Sequence, residues 1–175
     1  LNRMGYPDAA FMILKDGMSY SKLDEAGYLK PESIEMLTTT IPFFSEQNMN
    51  NFTTENRNIG IHSRGANETE GQYSPYQYVE VLASKLAELK EQGVNVQDTP
   101  EDSINAMEDI ICDEMAMELA FEGNRFADLT RIAKHKNADP LYGSNYGSLW
   151  LARKLAYKNP VKDLTQEINW YLPMK

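Results

Sequence analysis

The constraint that most limits what this chain can become is the spacing of its apolar residues from about residue 76 onward. Val79, Leu82, Ala83, Leu86 and Leu89 recur at helical intervals until Gln92-Gly93, which predicts an amphipathic helix of about four turns. After a turn, Thr99-Pro100-Glu101-Asp102 supplies an N-cap residue, a proline for the first helical position and acids for the first turn, where the helix dipole favours negative charge. A long helix is expected from there, with Ile104, Met107, Ile111, Met115 and Leu119 as its apolar stripe. If Gly123 only weakens it, Phe126, Leu129 and Ala133 continue that stripe. A further helix is expected from Gly147 to Lys158, ended by Asn159-Pro160.

Residues 1–75 read differently. Asn, Thr, Gly and Ser dominate, and the apolar run Phe11-Met12-Ile13-Leu14 is stopped by Lys15-Asp16-Gly17, a turn signal. One short helix is expected there, with Pro31 in its first turn, Glu32 and Glu35 near its positive end, and Ile34, Leu37 and Ile41 facing inward. Residues 48–72 carry no helical period and are expected to form a long surface loop or a ligand-contacting excursion. The whole is expected to be mainly α, with helices packed pairwise as in TPR-like helix pairs and with long irregular loops. It divides into a loop-rich part, 1–75, and a helical part, 76–175.

Composition removes several functional classes. The 17 Lys and Arg against 26 Asp and Glu give a net charge of −9, a field that repels phosphate backbones, so nucleic acid is not an expected partner. No stretch approaches the roughly 20 apolar residues of a membrane-spanning helix. The single cysteine, Cys112, allows neither an internal disulfide nor a thiolate cluster. His62 and His135 have no partner at ligand spacing, so no metal is expected. His135, between Lys134 and Lys136, suits the negative end of a helix dipole. Phosphate-loop, dinucleotide-binding and nucleophile-elbow motifs are all absent, and no cofactor is implied.

Two features carry possible chemistry. At 100° per residue, Glu118 and Glu122 fall on or beside the apolar stripe, with Arg125 next to them. An unpaired buried carboxylate costs several kcal/mol, so the expected reading is structural pairing of Glu118 or Glu122 with Arg125, or with a polar group from another element. The competing reading is a catalytic acid/base pair facing a cleft, as in a glycoside hydrolase. The second feature is the chain's ten tyrosines and two tryptophans, whose flat faces suit sugar rings and partner surfaces alike. Tyr73, Tyr76 and Tyr78 before the first long helix, and Tyr142 and Tyr146 before the last, read first as helix-end packing. Trp150 and Tyr157, seven apart, read as core or domain-interface residues. Arg64, Tyr73 and Tyr76, in or beside the irregular segment, are the candidate ligand contacts.

The run Glu118-Leu119-Ala120-Phe121-Glu122-Gly123-Asn124-Arg125-Phe126-Ala127-Asp128-Leu129-Thr130-Arg131 resembles the helix-borne signature E-L-A-F-E-G-H-R-W-x-D-L-x-R of the SusD/RagB family of nutrient-binding outer-membrane lipoproteins. Asn124 and Phe126 stand where the family often has His and Trp. The terminal Asn169-Trp170-Tyr171-Leu172-Pro173-Met174 is similar to the family's closing N-x-x-L-P-I-P motif. The resemblance implies a C-terminal portion of a longer protein that binds glycans or peptides without catalysis. It also implies a SusC-like TonB-dependent transporter as partner, and a lipid anchor outside these residues holding the protein on the outer face of the outer membrane. Glu118, Glu122, Arg125, Asp128 and Arg131 would then form a structural ion lattice. A helical scaffold for a protein partner is the alternative, and a glycoside hydrolase a more distant one.

Overall fold

Six α-helices and no strand make up the described part of the chain. The fold was obtained as a computed structural model, which describes residues 1–17, 23, 26–40, 77–118 and 123–171, the side chains of Asp16 and Glu118 excepted. The helices are α1 (Pro7–Asp16), α2 (Pro31–Glu35), α3 (Tyr78–Glu91), α4 (Pro100–Glu118), α5 (Arg125–Ala138) and α6 (Tyr146–Leu155). The chain divides into two compact units, Leu1–Glu114 and Met115–Lys175, the boundary falling within α4. The mainly helical class expected from the periodicity is the class observed.

In the first unit, α1 corrects the expectation of a single short helix in the loop-rich part. Pro7 opens it and Gly17, at φ 74°, closes it by donating its N–H to the Ile13 carbonyl. Only glycine takes that backbone conformation without strain. The run Phe11-Met12-Ile13-Leu14 shows no single apolar stripe because the helix is buried on two sides. Ala9 and Met12 pack with Leu23 and Leu37, whereas Phe11 packs with Met107 and Ile110.

Helix α2 forms where expected, but its inward face differs. Ile34 is exposed, Leu37 is fully buried, and Ile41 lies outside the described residues. The buried partner is Ser33, whose hydroxyl donates to Asp8 at 2.7 Å while the Lys30 N–H donates to the other Asp8 oxygen at 2.8 Å. This polar tie sets the rotation of the helix. Its continuation, Met36–Thr40, widens into a π turn. There the Thr38 and Thr39 hydroxyls donate to the carbonyls of Ile34 and Glu35, competing with the helical ladder.

Helix α3 is likewise rotated from its predicted face, with Val79 and Ala83 exposed. Tyr78 decides this rotation: its ring stacks on Tyr28 at 5.4 Å and tilts against Phe11 at 5.4 Å. Burial first, and the Asp8 charge second, push the Tyr78 phenol up to about 12. On the same helix Lys85 reaches Glu88 at 2.6 Å and Asp113 at 3.0 Å. Burial pulls against the Lys85 charge, but the two carboxylates outweigh it and hold its ammonium above the usual lysine value.

Helix α4 starts as the sequence dictates. Asp102 accepts from the backbone N–H groups of Thr99 and Gln97, and its own N–H meets the Thr99 hydroxyl, a reciprocal cap. Its middle is not a stripe, since every residue from Asn105 to Ile110 is buried. Ile104, Ile111 and Met115 are only partly covered, and Leu119 lies outside the described residues. Polar side chains near the ends of this buried run are tied down: Glu108 accepts from Arg3 Nε at 2.7 Å, and Asn2 donates to the Ile104 carbonyl at 2.8 Å.

In the second unit the predicted stripe does not run through Gly123. That residue sits at φ 76°, and a separate helix, α5, begins at Arg125. Phe126 is therefore exposed, while Leu129, Ile132 and Ala133 are buried with Trp150, Leu151, Leu164 and Trp170. Helix α6 runs on into a 3₁₀ turn, Ala156–Lys158, which Asn159 ends at φ 48°. Trp150 is core as expected; Tyr157, past the end of α6, is exposed instead.

Helices α5 and α6 meet at backbone distance. A Cβ on Gly147 would lie 1.8 Å from the Ala133 carbonyl oxygen. Asn137 locks the same contact: its carbonyl oxygen accepts the Ser148 N–H at 3.1 Å and its amide donates to the Ser148 hydroxyl at 3.0 Å. Asn137 thus caps α6 from a neighbouring helix.

Two predictions follow from these contacts. Gly147→Ala is expected to cost at least about 3 kcal/mol, the upper end of overpacking penalties because backbone cannot yield, read as a fall in thermal midpoint. At Asp102 burial opposes ionisation, but the N–H donors of Thr99 and Gln97, the Thr99 hydroxyl and the Lys90 charge prevail and hold the carboxyl below the usual carboxylate range. A depressed folded value stabilises the chain above the unfolded pKa of about 4 and loses that stabilisation as pH falls through the folded value. The difference in thermal midpoint between the wild type and Asp102→Asn is therefore expected to be full at pH 7 and to shrink below about pH 4.

Candidate functional site

The second unit carries an open groove of about 590 Å³, lined by Phe126, Ala127, Thr130, Arg131, Lys134, Trp170 and Tyr171. Five of these residues come from α5. Ala127, Thr130, Arg131 and Lys134 are spaced three, four and seven apart, so they form one continuous face. Phe126 begins that face in the first turn of the helix.

The opposite wall is built by the segment Asp163–Tyr171. Thr165 donates its N–H and hydroxyl to Asp163 at 2.9 and 2.7 Å, and those bonds hold the Asp163 carboxyl below its ordinary value. Asn169 then donates to the Asp163 carbonyl at 2.8 Å, and the Trp170 indole N–H to the Leu164 carbonyl at 2.7 Å. These bonds close the segment into a tight turn ending in the 3₁₀ helix Glu167–Trp170. Trp170 is 4% exposed and forms the floor, whereas Tyr171 is 49% exposed and forms a wall.

The described lining of the groove carries two cations, Arg131 and Lys134. Lys134 Nζ lies 4.7 Å from the Tyr171 ring centre and 4.0 Å from Glu167. Hydrogen bonding with Tyr171, and secondarily the Tyr171 and Glu167 charges, hold the Lys134 ammonium above the usual lysine value although solvent reaches it. Arg131 pairs with Asp128 at 3.0 Å through one nitrogen, leaving other guanidinium donors on the same fork. Rings, two cations and a hydroxyl thus share one shallow surface, an arrangement that can hold a ligand by stacking and charge.

Beneath it, α5 and α6 bury a cation. Lys136 is fully buried, with its Nζ 4.9 Å from Tyr142, 5.5 Å from Trp150 and 5.8 Å from Tyr146. Tyr142 and Tyr146 stack at 4.9 Å, so this pair is the helix-end packing device expected of it. Arg153 sits 5.9 Å from the Tyr146 ring.

Of the residues singled out in the sequence, Asp128 and Arg131 meet, but Arg131 is 64% exposed, so this pair lies at the surface and not within the core. Arg125 opens α5. Glu122 and the side chain of Glu118, and with them the expected carboxylate pairing, lie outside the described residues, as do the ligand candidates Arg64, Tyr73 and Tyr76. Thr130, Lys134 and Tyr171 stand in the sequence as parts of motifs or helix ends, and nothing there marks them as ligand contacts. The helical spacing of Ala127, Thr130, Arg131 and Lys134 was the available signal, but the approach of Tyr171 to that face is tertiary. Among the described residues no cluster of three His, Cys, Asp or Glu could hold a metal, and no helix is long and apolar enough to cross a membrane.

Fold and groove together define a helical protein with an open, ring-lined surface. More particularly, the model of the SusD family matches residues 84–175, over half of the chain, and the protein belongs to that family. No curated protein and no solved structure matches it. Members of the family are non-catalytic binding proteins with a general role in nutrient binding. The matched span includes both walls of the groove.

The Lys136 cage gives a prediction with two arms. Lys136→Ala leaves a void among three rings and is expected to cost about 2–4 kcal/mol, as for other large-to-small core changes. Lys136→Met restores most of the volume but not the charge, so its smaller cost, about 1–2 kcal/mol, reports what the buried ammonium contributes, its contacts with the rings included. Denaturant titration of both variants checks the order.

Proposed function

We propose that the protein captures a glycan or peptide nutrient without transforming it and delivers it to a SusC-like TonB-dependent transporter. In this reading it is the C-terminal portion of a larger SusD-type domain, held on the outer face of the outer membrane by a lipid anchor outside these residues. The observation that carries the reading is family membership over residues 84–175. The groove on α5 supports it, since exposed rings at its rim suit flat ligand faces and its open form suits transfer. The carboxylates beside it, Asp128 and Glu167, are engaged with Arg131, Lys134 and Tyr171, the arrangement of positioning groups and not of an acid/base pair.

The test is calorimetric titration of the intact protein with oligosaccharides and peptides, followed by mass analysis of the recovered ligand. Saturable binding with the ligand returned unchanged is expected. Cleavage that disappears in Glu118→Gln or Glu122→Gln would replace this reading with a glycoside hydrolase. Absence of any saturable ligand, with a protein partner still bound, would favour a helical scaffold.

A further inference from the structure

We infer that the groove between α5 and Tyr171 is a binding site for a short anionic saccharide, its rings stacked on Phe126 and Tyr171 and its carboxylate or sulfate groups held by Arg131 and Lys134. The inference rests on the nutrient-binding reading and narrows it to one ligand class at one place.

Three observations converge on that class. First, among the described residues the lining holds two cations and no carboxylate, in a unit, residues 115–175, that carries nine Lys and Arg against six Asp and Glu. A neutral sugar makes no use of those cations' remaining donors, whereas an acidic one does. Second, the cations are held from behind: Asp128 fixes Arg131 at 3.0 Å, and Glu167 lies 4.0 Å from Lys134. Neither acid lines the groove, so each positions a cation without covering it. Third, Phe126 and Tyr171 are 43% and 49% exposed. Along α5, Phe126 and Lys134 stand eight residues apart, about 12 Å at the helical rise, a span that suits a disaccharide or slightly longer.

Exposed charges are screened beyond about 8 Å at physiological ionic strength. A short acidic sugar inside the groove therefore responds chiefly to Arg131 and Lys134. The α5 wall is helix, whose backbone groups are paired within it, so it offers no free edge of the kind an extended peptide adds to.

The experiment titrates the intact protein with tetragalacturonate and, in parallel, with the neutral maltotetraose. Variants are Phe126→Ala and the double change Arg131→Gln with Lys134→Gln. Tetragalacturonate is expected to bind the wild type at least about tenfold more tightly than maltotetraose, as charge-assisted bonds exceed neutral ones. That advantage should disappear in the double variant and shrink as salt rises. Phe126→Ala should weaken both sugars. Hydrogen-exchange protection of residues 126–134 by tetragalacturonate on the wild type gives the same reading without mutation, should a variant fold poorly. Equal binding of tetragalacturonate to wild type and double variant, without protection of α5, overturns the site while nutrient binding stands. Binding of maltotetraose or a peptide but not of tetragalacturonate overturns the ligand class. Failure of every saccharide and peptide tried overturns this inference together with the reading on which it rests.

Discussion

The second unit depends on one backbone contact, the approach of Gly147 to the Ala133 carbonyl. Because no side chain intervenes, α5 and α6 lie close enough for Asn137 to span the gap and cap α6 through Ser148. The same closeness presses Trp150, Tyr142 and Tyr146 around Lys136. Burying an ammonium is costly unless strong partners replace water, and three ring faces at 4.9–5.8 Å supply part of that replacement. A wider helix pair would leave the lysine facing solvent and the tryptophan without a floor. The groove inherits this rigidity, since its α5 wall is the opposite side of the helix that Gly147 pins.

In the first unit, buried polar groups take the corresponding part. Asp8 is 1% exposed and binds the start of α2 through Lys30 and Ser33. Leaving such a carboxylate unmatched would cost more than any one apolar contact nearby returns. It therefore overrides the apolar pattern and turns Ser33 inward while Ile34 faces out. The rotation of α3 has a similar origin, in a three-ring cluster of Phe11, Tyr28 and Tyr78 that outweighs the modest burial Val79 would gain.

These two cases mark what the sequence could show. Local signals determine helix existence and ends, and Thr99-Pro100-Glu101-Asp102, Gln92-Gly93 and Asn159-Pro160 all punctuate helices where they should. Helix rotation is decided by partners distant in sequence, and there the apolar spacing misled at Ile34, Val79 and Ala83. It misled again at α1 and in the middle of α4, because a helix covered on more than one side shows no stripe to read. Gly123 was ambiguous for a different reason. Glycine in a helix and glycine at a left-handed break look identical in sequence, and only the observed φ of 76° separates them. Of the candidate site, the signature residues Arg125, Asp128 and Arg131 were legible as a motif. Their neighbour Tyr171 was legible only as part of the closing motif, since nothing in linear order brings it to α5.

The placement of charge follows from the same geometry. On an acidic chain, a cation exposed alone would be neutralised by whichever carboxylate is nearest. Arg131 and Lys134 are instead each met on one side, by Asp128 three residues earlier and by Glu167 across the turn. A partner at i−3 holds the guanidinium against the helix surface, and Glu167 gathers the ammonium together with the Tyr171 hydroxyl, which it accepts at 3.3 Å. Exposed pairs of this kind add little to stability, about 0–1 kcal/mol. Their effect is on orientation: they restrict two long side chains and a ring to the face they share, which lowers the ordering cost that a ligand would otherwise bear. Because the restraint comes from the family signature at one end and the closing segment at the other, the groove exists only where those two motifs fold together.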